Sequence, residues 1–492
     1  MMGDSLSAKK IGWNFDNSYL RLPKYCYTKV RPIPVSDPRI VILNNGLANE
    51  LGLTFDKPPQ KKLAQIFSGN DLPKHSDPLA QAYAGHQFGH FTFLGDGRAH
   101  LLGEHITPDG SRLDIQLKGS GKTPYTKRGD GRASLGPMLR EYIISEAMHK
   151  LGISTTRSLA VVTTGEKVYR NTILKGAVLT RVASSHMRIG TFQYLAAQKD
   201  VKSLKILADY AIDRHYPEIK ESSTPYLSFL KAVMKNQIDL IVDWLRVGFI
   251  HGVMNTDNMS ISGETIDYGP CAFMDEYDPE TVFSSIDQMK RYSYANQPDI
   301  TQWNLARFAE ALMPLIHKDI KEVYSLSKEI NDSFNRSFEI EWLSMMRRKL
   351  GLFGEDKADE LLISNLLKWM KLQHADYTNT FRDLISETIP KGECYVSDDF
   401  QNWWQRLRSR QKQSGKPIKL SHCLMRANNP SVIPRNHQVE KALSSAEEQG
   451  DFKKLDKLID VLSDPYLDKP EYKEFQAPPK PEERVYQTFC GT

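Results

Sequence analysis

The chain has 492 residues, more than one compact core usually supports, so two or more lobes are expected. Hydrophobic residues make up 40% and charged residues 25%, and the net charge of +5 comes without a long basic run, which suits an anionic ligand in one cleft and argues against nucleic acid as a partner. No stretch reaches the roughly 18 uncharged apolar residues of a membrane span, and the N-terminus has neither an apolar signal region nor an Arg-rich amphipathic pattern, so a cytoplasmic location is the default and no membrane partner is expected.

Residues 1–75 mix short apolar runs with turns, and the segment from Arg39 to Leu53 reads as a strand followed by a helix. Residues 99–118 read as a hairpin. Ala99 to Ile106 is the first strand, Thr107-Pro108-Asp109-Gly110 the turn and Arg112 to Lys118 the second strand. In that second strand Leu113, Ile115 and Leu117 share one face and Asp114, Gln116 and Lys118 the other. A helix is predicted from Pro137 to Leu151, with Pro137 in its first turn, an apolar stripe through Leu139, Tyr142, Ile143, Ala147 and Leu151, and Gly152 as its stop. From about 191 to 464 the pattern is mainly helical, apart from a loop-rich insert at 250–280. The segment from Pro465 carries five prolines and reads as an extended tail over the surface, or a partly disordered one. The predicted organisation is a strand-rich half at 1–190, a helical half at 191–464 and a tail at 465–492.

The strongest local signal is HGVMNTDNMSISGETIDYGP, residues 251–270. His251-Gly252 is followed by Asn258 and then by Asp267 within Ile-Asp-Tyr-Gly. Phosphotransferases of the kinase fold use a loop of similar type, H-G-D-x-x-x-x-N, then a hairpin and I-D-F-G. The chemistry explains the spacing. A nucleotide's phosphates need a hard divalent cation, and such a cation prefers oxygen ligands. An amide at Asn258 and a carboxylate at Asp267 would supply them. The third position after the His, where a kinase carries its catalytic Asp, is Val253. Either the chain is dead as a kinase or another group takes the role. Asp257 is the candidate, with a loop-capping Asp as the competing explanation.

The first half supplies further parts. Lys118 ends the alternating strand, and Glu141 lies in the helix after it, the arrangement of a strand-to-helix ion pair that positions a lysine on phosphates. Gly95-Asp96-Gly97-Arg98 is a turn whose backbone could approach phosphate, with an arginine at its exit. Asp130 and Gly131 fall in a second such turn, and Arg181 and Arg188 bracket Ser184-Ser185-His186. Several cations around the glycine turn imply a triphosphate lying deep beneath it. The five cysteines include no CxxC pair, which argues against a zinc site and leaves reduced thiols as the default.

The stretches AQAYAGHQFGHFTFLGDGRAHLLGE, QLKGSGKTPYTKRGDGRASLGPMLREY, LTRVASSHMRIGTFQ and HGVMNTDN with IDYGPCAFMD resemble the selenoprotein O family. The resemblance implies an α+β, protein-kinase-like bilobal fold with a strand-rich N-lobe and a helical C-lobe. It implies ATP bound in a flipped orientation and transfer of AMP to Ser, Thr or Tyr hydroxyls of proteins, with Mg²⁺ or Mn²⁺ as cofactor. UTP with Mn²⁺ is a further implied substrate. Carried residue by residue, Lys118 and Glu141 are the ion pair, and Arg181 and Arg188 contact phosphates. Gly95, Gly97, Arg98, Asp130 and Gly131 line the nucleotide site, Asn258 and Asp267 hold the metal, and Asp257 is the base. The resemblance also implies a redox disulfide between Cys271 and Cys490, with redox proteins among the targets and a monomeric enzyme. A kinase of the same fold and a nucleotide-binding pseudokinase scaffold are the rival expectations.

Overall fold

The computed structural model describes residues 11–56, 58–317 and 320–488. Its architecture is α+β, with an antiparallel sheet in the first part of the chain and helices in the rest.

The sheet is built from β1 (Tyr27–Lys29), β2 (Arg39–Leu43), β3 (Leu79–Gln81), β6 (Ala99–Ile106), β7 (Arg112–Lys118), β8 (Ala133–Ser134), β9 (Arg157–Tyr169) and β10 (Ile173–Ala183). A separate hairpin comprises β4 (Ala84–Gln87) and β5 (His90–Phe93). The sheet order is β1-β3-β6-β7-β10-β9-β2, with β8 paired to β10. The predicted hairpin is β6–β7, and its register sets Lys118 opposite both Ala99 and Leu179 and Gln116 opposite both Leu101 and Arg181. Cross-strand partners share a face, so Lys118, Gln116 and Arg181 project together.

Leu113, Ile115 and Leu117 point to the other face. There Ile115 and Leu117 join a small core with Val162, Val178 and Phe67. The alternation predicted by the sequence is present, but its polar side is not a solvent face: Asp114, Gln116 and Lys118 are all buried. Alternation reports which residues share a side. It does not report whether that side meets water or a lined cleft.

Helix α1 (Leu135–Lys150) packs on β9 and β10 and carries Glu141 inward. Pro137 lies in its first turn, and the chain leaves it through Gly152 at φ 76°. The predicted stripe is buried, and so is most of the remaining helix surface. The later helices include α2 (Ile189–Ala197), α3 (Val201–His215), α4 (Pro225–Val247), α5 (Gln297–Ile316) and α6 (Ile320–Lys349). Their apolar faces and that of α1 share one continuous core running from Tyr19 to Phe475. No helix among the described residues is long and apolar enough to cross a membrane.

Residues 465–488 of the tail run over the surface, with short helical turns that bury Tyr472 and Phe475. It reaches back to the loop of the strongest motif, where the Thr488 hydroxyl donates to the Pro270 carbonyl at 2.6 Å. Arg435 ties the same region down. It is buried and bridges Asp275 and Asp376.

One buried and one half-buried histidine make the fold acid-sensitive. His100 on β6 and His215 at the end of α3 are driven down by burial, to about 4 and about 3 respectively. Above pH 6.5 both folded and unfolded forms are neutral. As the pH falls from there towards 4, the unfolded chain takes protons that the folded chain refuses, so stability falls. Each histidine contributes a slope of about 1.4 kcal/mol per pH unit in that window. His100→Asn should flatten the fall by about one such slope, read from urea midpoints across this pH range.

Candidate active site

A cleft of about 860 Å³ opens between the inner face of the sheet, α1 and the loop at 251–270. Its roof is formed by two glycine turns. Gly95, at φ 144°, lies so close to Tyr125 that a Cβ would stand 2.4 Å from the ring. Gly131, at φ 70°, backs onto Gly121, where a Cβ would be 2.3 Å from the carbonyl carbon. Only glycine permits these approaches, which bring bare backbone to the cleft.

Charge is concentrated beneath the roof. Lys118 Nζ donates to Glu141 Oε2 at 2.6 Å and to Asp267 Oδ1 at 2.9 Å. Arg181 donates from Nε to Glu141 Oε1 at 2.8 Å and from its terminal nitrogen to Asp267 Oδ1 at 2.7 Å. Arg188 stands 3.5 Å from Asp267 Oδ2 and 3.9 Å from Asp96 Oδ1, with its guanidinium 4.4 Å over the Tyr83 ring. Burial pushes the Asp267 carboxyl up, but Arg181, Lys118 and Arg188 together override it and hold it well below the carboxylate range. Glu141 is lowered in the same way, with Arg181 and Lys118 outweighing burial. Asp96 goes the other way, since burial, helped by the Asp267 charge, wins there against Arg188 and the hydrogen bond from the Gln81 N–H.

The loop itself is braced by His251. Its ring stacks on Trp244, its Nε2 meets the Ile266 carbonyl at 2.9 Å, and its Nδ1 accepts from the Val253 N–H at 3.3 Å. The two arms of the motif are thereby pinned together. Asn258 Nδ2 donates to the Val253 carbonyl at 2.9 Å, which leaves its amide oxygen as the end available to a cation. Asp267 adopts φ 63°, a left-handed backbone that costs a non-glycine residue on the order of 1–3 kcal/mol. Asp257 is 6% exposed, and its Oδ1 has no hydrogen-bond partner among the described residues. Burial, opposed by Arg188, raises its carboxyl to about 6.

The β4–β5 hairpin lies directly on this loop. The His86 N–H donates to Thr256 Oγ1 at 2.8 Å, and the Phe88 N–H donates to Asn255 Oδ1 at 3.1 Å. A Cβ on Gly85 would stand 2.1 Å from Asp257 Oδ1. On the far side, a Cβ on Gly190 would stand 1.9 Å from the Ala84 carbonyl oxygen. The hairpin is thus held between α2 and the loop.

The residues singled out in the sequence, Gly95, Gly97, Arg98, Lys118, Asp130, Gly131, Glu141, Arg181, Arg188, Asp257, Asn258 and Asp267, all line this one cleft. Two differ in their attachments from what the sequence suggests. Arg181 is 1% exposed and is committed to Glu141 and Asp267. Asp130 caps its own turn, accepting from the Arg132 N–H, and pairs with Arg170. His186, between the two arginines, pairs instead with Asp114 outside the cleft wall. Cys271 is buried, and Cys490 lies outside the described residues. Sequence reasoning missed Tyr83, Asp96, Gln116 and the β4–β5 hairpin. Asp96 stood in plain view between two chosen glycines. Tyr83 has no local signal, because its role depends on Arg188, more than a hundred residues away.

The profile of the family described as protein adenylyltransferase SelO matches residues 9–463. The chain is similar to the protein nucleotidyltransferase YdiU of Nitrosococcus oceani, with 65% identity over 488 residues covering 99% of each chain. It is also similar to the proteins of that name from Syntrophotalea carbinolica, at 57% with 98% of each chain covered, and Pelagibacter ubique, at 57% with 98% of this chain and 100% of the relative covered. The chain belongs to the SelO family and is a nucleotidyltransferase.

The fit of hairpin to loop gives a direct test. Gly85→Ala places a methyl group where Asp257 Oδ1 now lies, so the hairpin or the carboxylate must move. Displacements of this size reduce rates by about 10²-fold. Nucleotidyl transfer should fall by about that factor while nucleotide binding, measured by calorimetry, stays within about threefold, because the cationic cluster is built from other elements.

Proposed function

We propose that this protein transfers AMP from ATP to Ser, Thr or Tyr hydroxyls of other proteins, on a bilobal protein-kinase-like fold. The observation that carries the reading is the composition of the cleft. Three cations and two carboxylates are gathered opposite Asn258 and Asp257, while Val253 occupies the position where a kinase loop has its base.

The roles follow from the attachments. Glu141 orients Lys118 towards the cleft, and Lys118 and Arg188 bind phosphate oxygens. Arg181, locked between Glu141 and Asp267, fixes the position of that carboxylate. The Asn258 amide oxygen and Asp267 suit a hard divalent ion, Mg²⁺ or Mn²⁺, and the unpartnered Asp257 Oδ1 is a further oxygen nearby. Such an ion would neutralise part of the phosphate charge. The target hydroxyl oxygen forms a bond to the α-phosphorus, the bond from that phosphorus to the bridging oxygen breaks, and pyrophosphate leaves. Asp257, buried and raised towards neutrality, accepts the hydroxyl proton. UTP is the second nucleotide proposed, with Mn²⁺. Control by a Cys271–Cys490 disulfide is also proposed, supported by the Thr488–Pro270 hydrogen bond, which brings the chain near each cysteine together.

ATP labelled on the α or the γ phosphate separates this reading from phosphorylation. Label should reach target protein from the α position only, and γ label on the target would replace AMP transfer with kinase activity. Asp257→Ala should lower transfer by about 10²–10⁴-fold with nucleotide affinity retained. A variant with full activity would remove Asp257 from the role of base.

A further inference from the structure

Outside the nucleotide cleft, the β4–β5 hairpin has a second face. His86, whose N–H is bonded to the catalytic loop, turns its ring away, edge-on to Trp303 of α5 with centroids 5.3 Å apart. Two guanidiniums flank the same indole. Arg291 lies 4.8 Å and Arg307 5.0 Å from the Trp303 ring centre. Both Nε atoms are buried without a hydrogen-bond partner among the described residues. Arg307 pairs at one edge with Glu310. Arg291 makes no ion pair among the described residues, although its neighbour Lys290 pairs with Glu280. The carboxylate of Asp287, four residues before Arg291, accepts instead from the backbone N–H groups of Arg291 and Tyr292.

Large apolar side chains are exposed around this cluster. Phe91 is 42% exposed and packs edge-on against His86, and Phe93 is 46% exposed. Ile286 and Met289, on the segment leading to Arg291, are 58% and 89% exposed, and Ile286 also lines the mouth of the nucleotide cleft. Exposed apolar side chains therefore adjoin both the cleft, through Ile286, and the arginine-flanked Trp303, through Phe91 and His86. Exposed apolar side chains beside aromatic-stacked arginines have the composition of a protein-binding patch.

We infer that this face docks the protein substrate through an acidic and apolar segment lying beside the acceptor hydroxyl. The charge assigns the occupant. Arg291 has no counter-ion among the described residues, and a carboxylate from a partner would satisfy it while the Trp303 ring screens its other side. The position fits as well. The patch and Asp257 sit on opposite sides of one short hairpin, so a segment seated on Phe91 and Ile286 delivers its neighbouring residues to the cleft mouth. The inference rests on a protein hydroxyl being the acceptor, but its test needs no transfer.

The full-length chain is titrated without nucleotide into two fluorescein-labelled peptides. Both contain one serine and a Phe-Leu pair, and they differ only in carrying glutamates or lysines around them. The glutamate peptide should bind at least about tenfold more tightly, and more weakly as salt rises. Arg291→Glu should abolish or reverse that preference, and Arg307→Ala should weaken it, with ATP binding of each variant confirming an intact fold. Equal binding of the two peptides, or an unchanged preference in Arg291→Glu, would sink the inference. Concentration-dependent dimerisation lost in Arg291→Glu would give the face to a second copy of the chain and overturn it equally. A preserved peptide preference with no α-label transfer would count against AMP transfer alone and leave the docking surface standing.

Discussion

Asp267 is the carboxylate on which the site is organised. It emerges from the loop in a left-handed conformation and meets Lys118 from β7, Arg181 from β10 and Arg188 at the start of α2. Three separate parts of the chain thus converge on one acidic group. Removing it would leave three buried cations facing each other, with Glu141, Asp96 and Asp257 to balance them. Such an arrangement is stable only as a unit, because each ion's desolvation is offset by the others.

This coupling also bears on how the cleft handles nucleotide. Lys118 and Arg188 are directed at Asp267 and Asp96. In the proposed reaction a triphosphate brings about four negative charges, and these two cations are the ones proposed to meet it. Arg181 is different. Its guanidinium is held at two carboxylates and has almost no exposure, so it sets the spacing of Glu141 and Asp267. In the proposed reaction one cation is the brace and two meet the ligand. Treating all of the arginines as equivalent phosphate ligands would miss that division.

The sequence made the chemical residues legible because their spacing follows from local geometry. A strand that alternates must put Lys118 and Gln116 on one side, and a loop that ends in Ile-Asp-Tyr-Gly must return Asp267 near Asn258. What spacing could not show is where buried polar groups find partners. The polar face of β7 looks like a solvent face until α1 and the loop close over it. Arg181 looks like any strand-end arginine until Glu141 is seen from across the sheet. The β4–β5 hairpin was missed for a related reason. Its strands are short and rich in histidine, phenylalanine and glycine, and what holds them is contact with Thr256, Asn255 and α2, more than ninety residues on.

Val253 is then less an omission than a consequence of how the loop is braced. Its N–H is held by His251 and its carbonyl by Asn258, so the backbone at this position sets the two residues that fix the loop. A carboxylate here would project into a cleft that already holds Asp257 and Asp267, and like charges at such distances raise one another's pKa. Asp257 is already lifted by burial and, more weakly, by Asp267, with Arg188 as its main counterweight. A third acid would weaken its hold on a proton-free state and compete for the same arginine. With valine at 253, the single buried carboxylate at 257 keeps Arg188 within its field, and the hairpin glycine at 85 leaves it the space to stand there. The missing acid and the bare glycine are two parts of one steric and electrostatic solution, which sets Asp257 beneath the hairpin whose other face carries the aromatic and cationic patch.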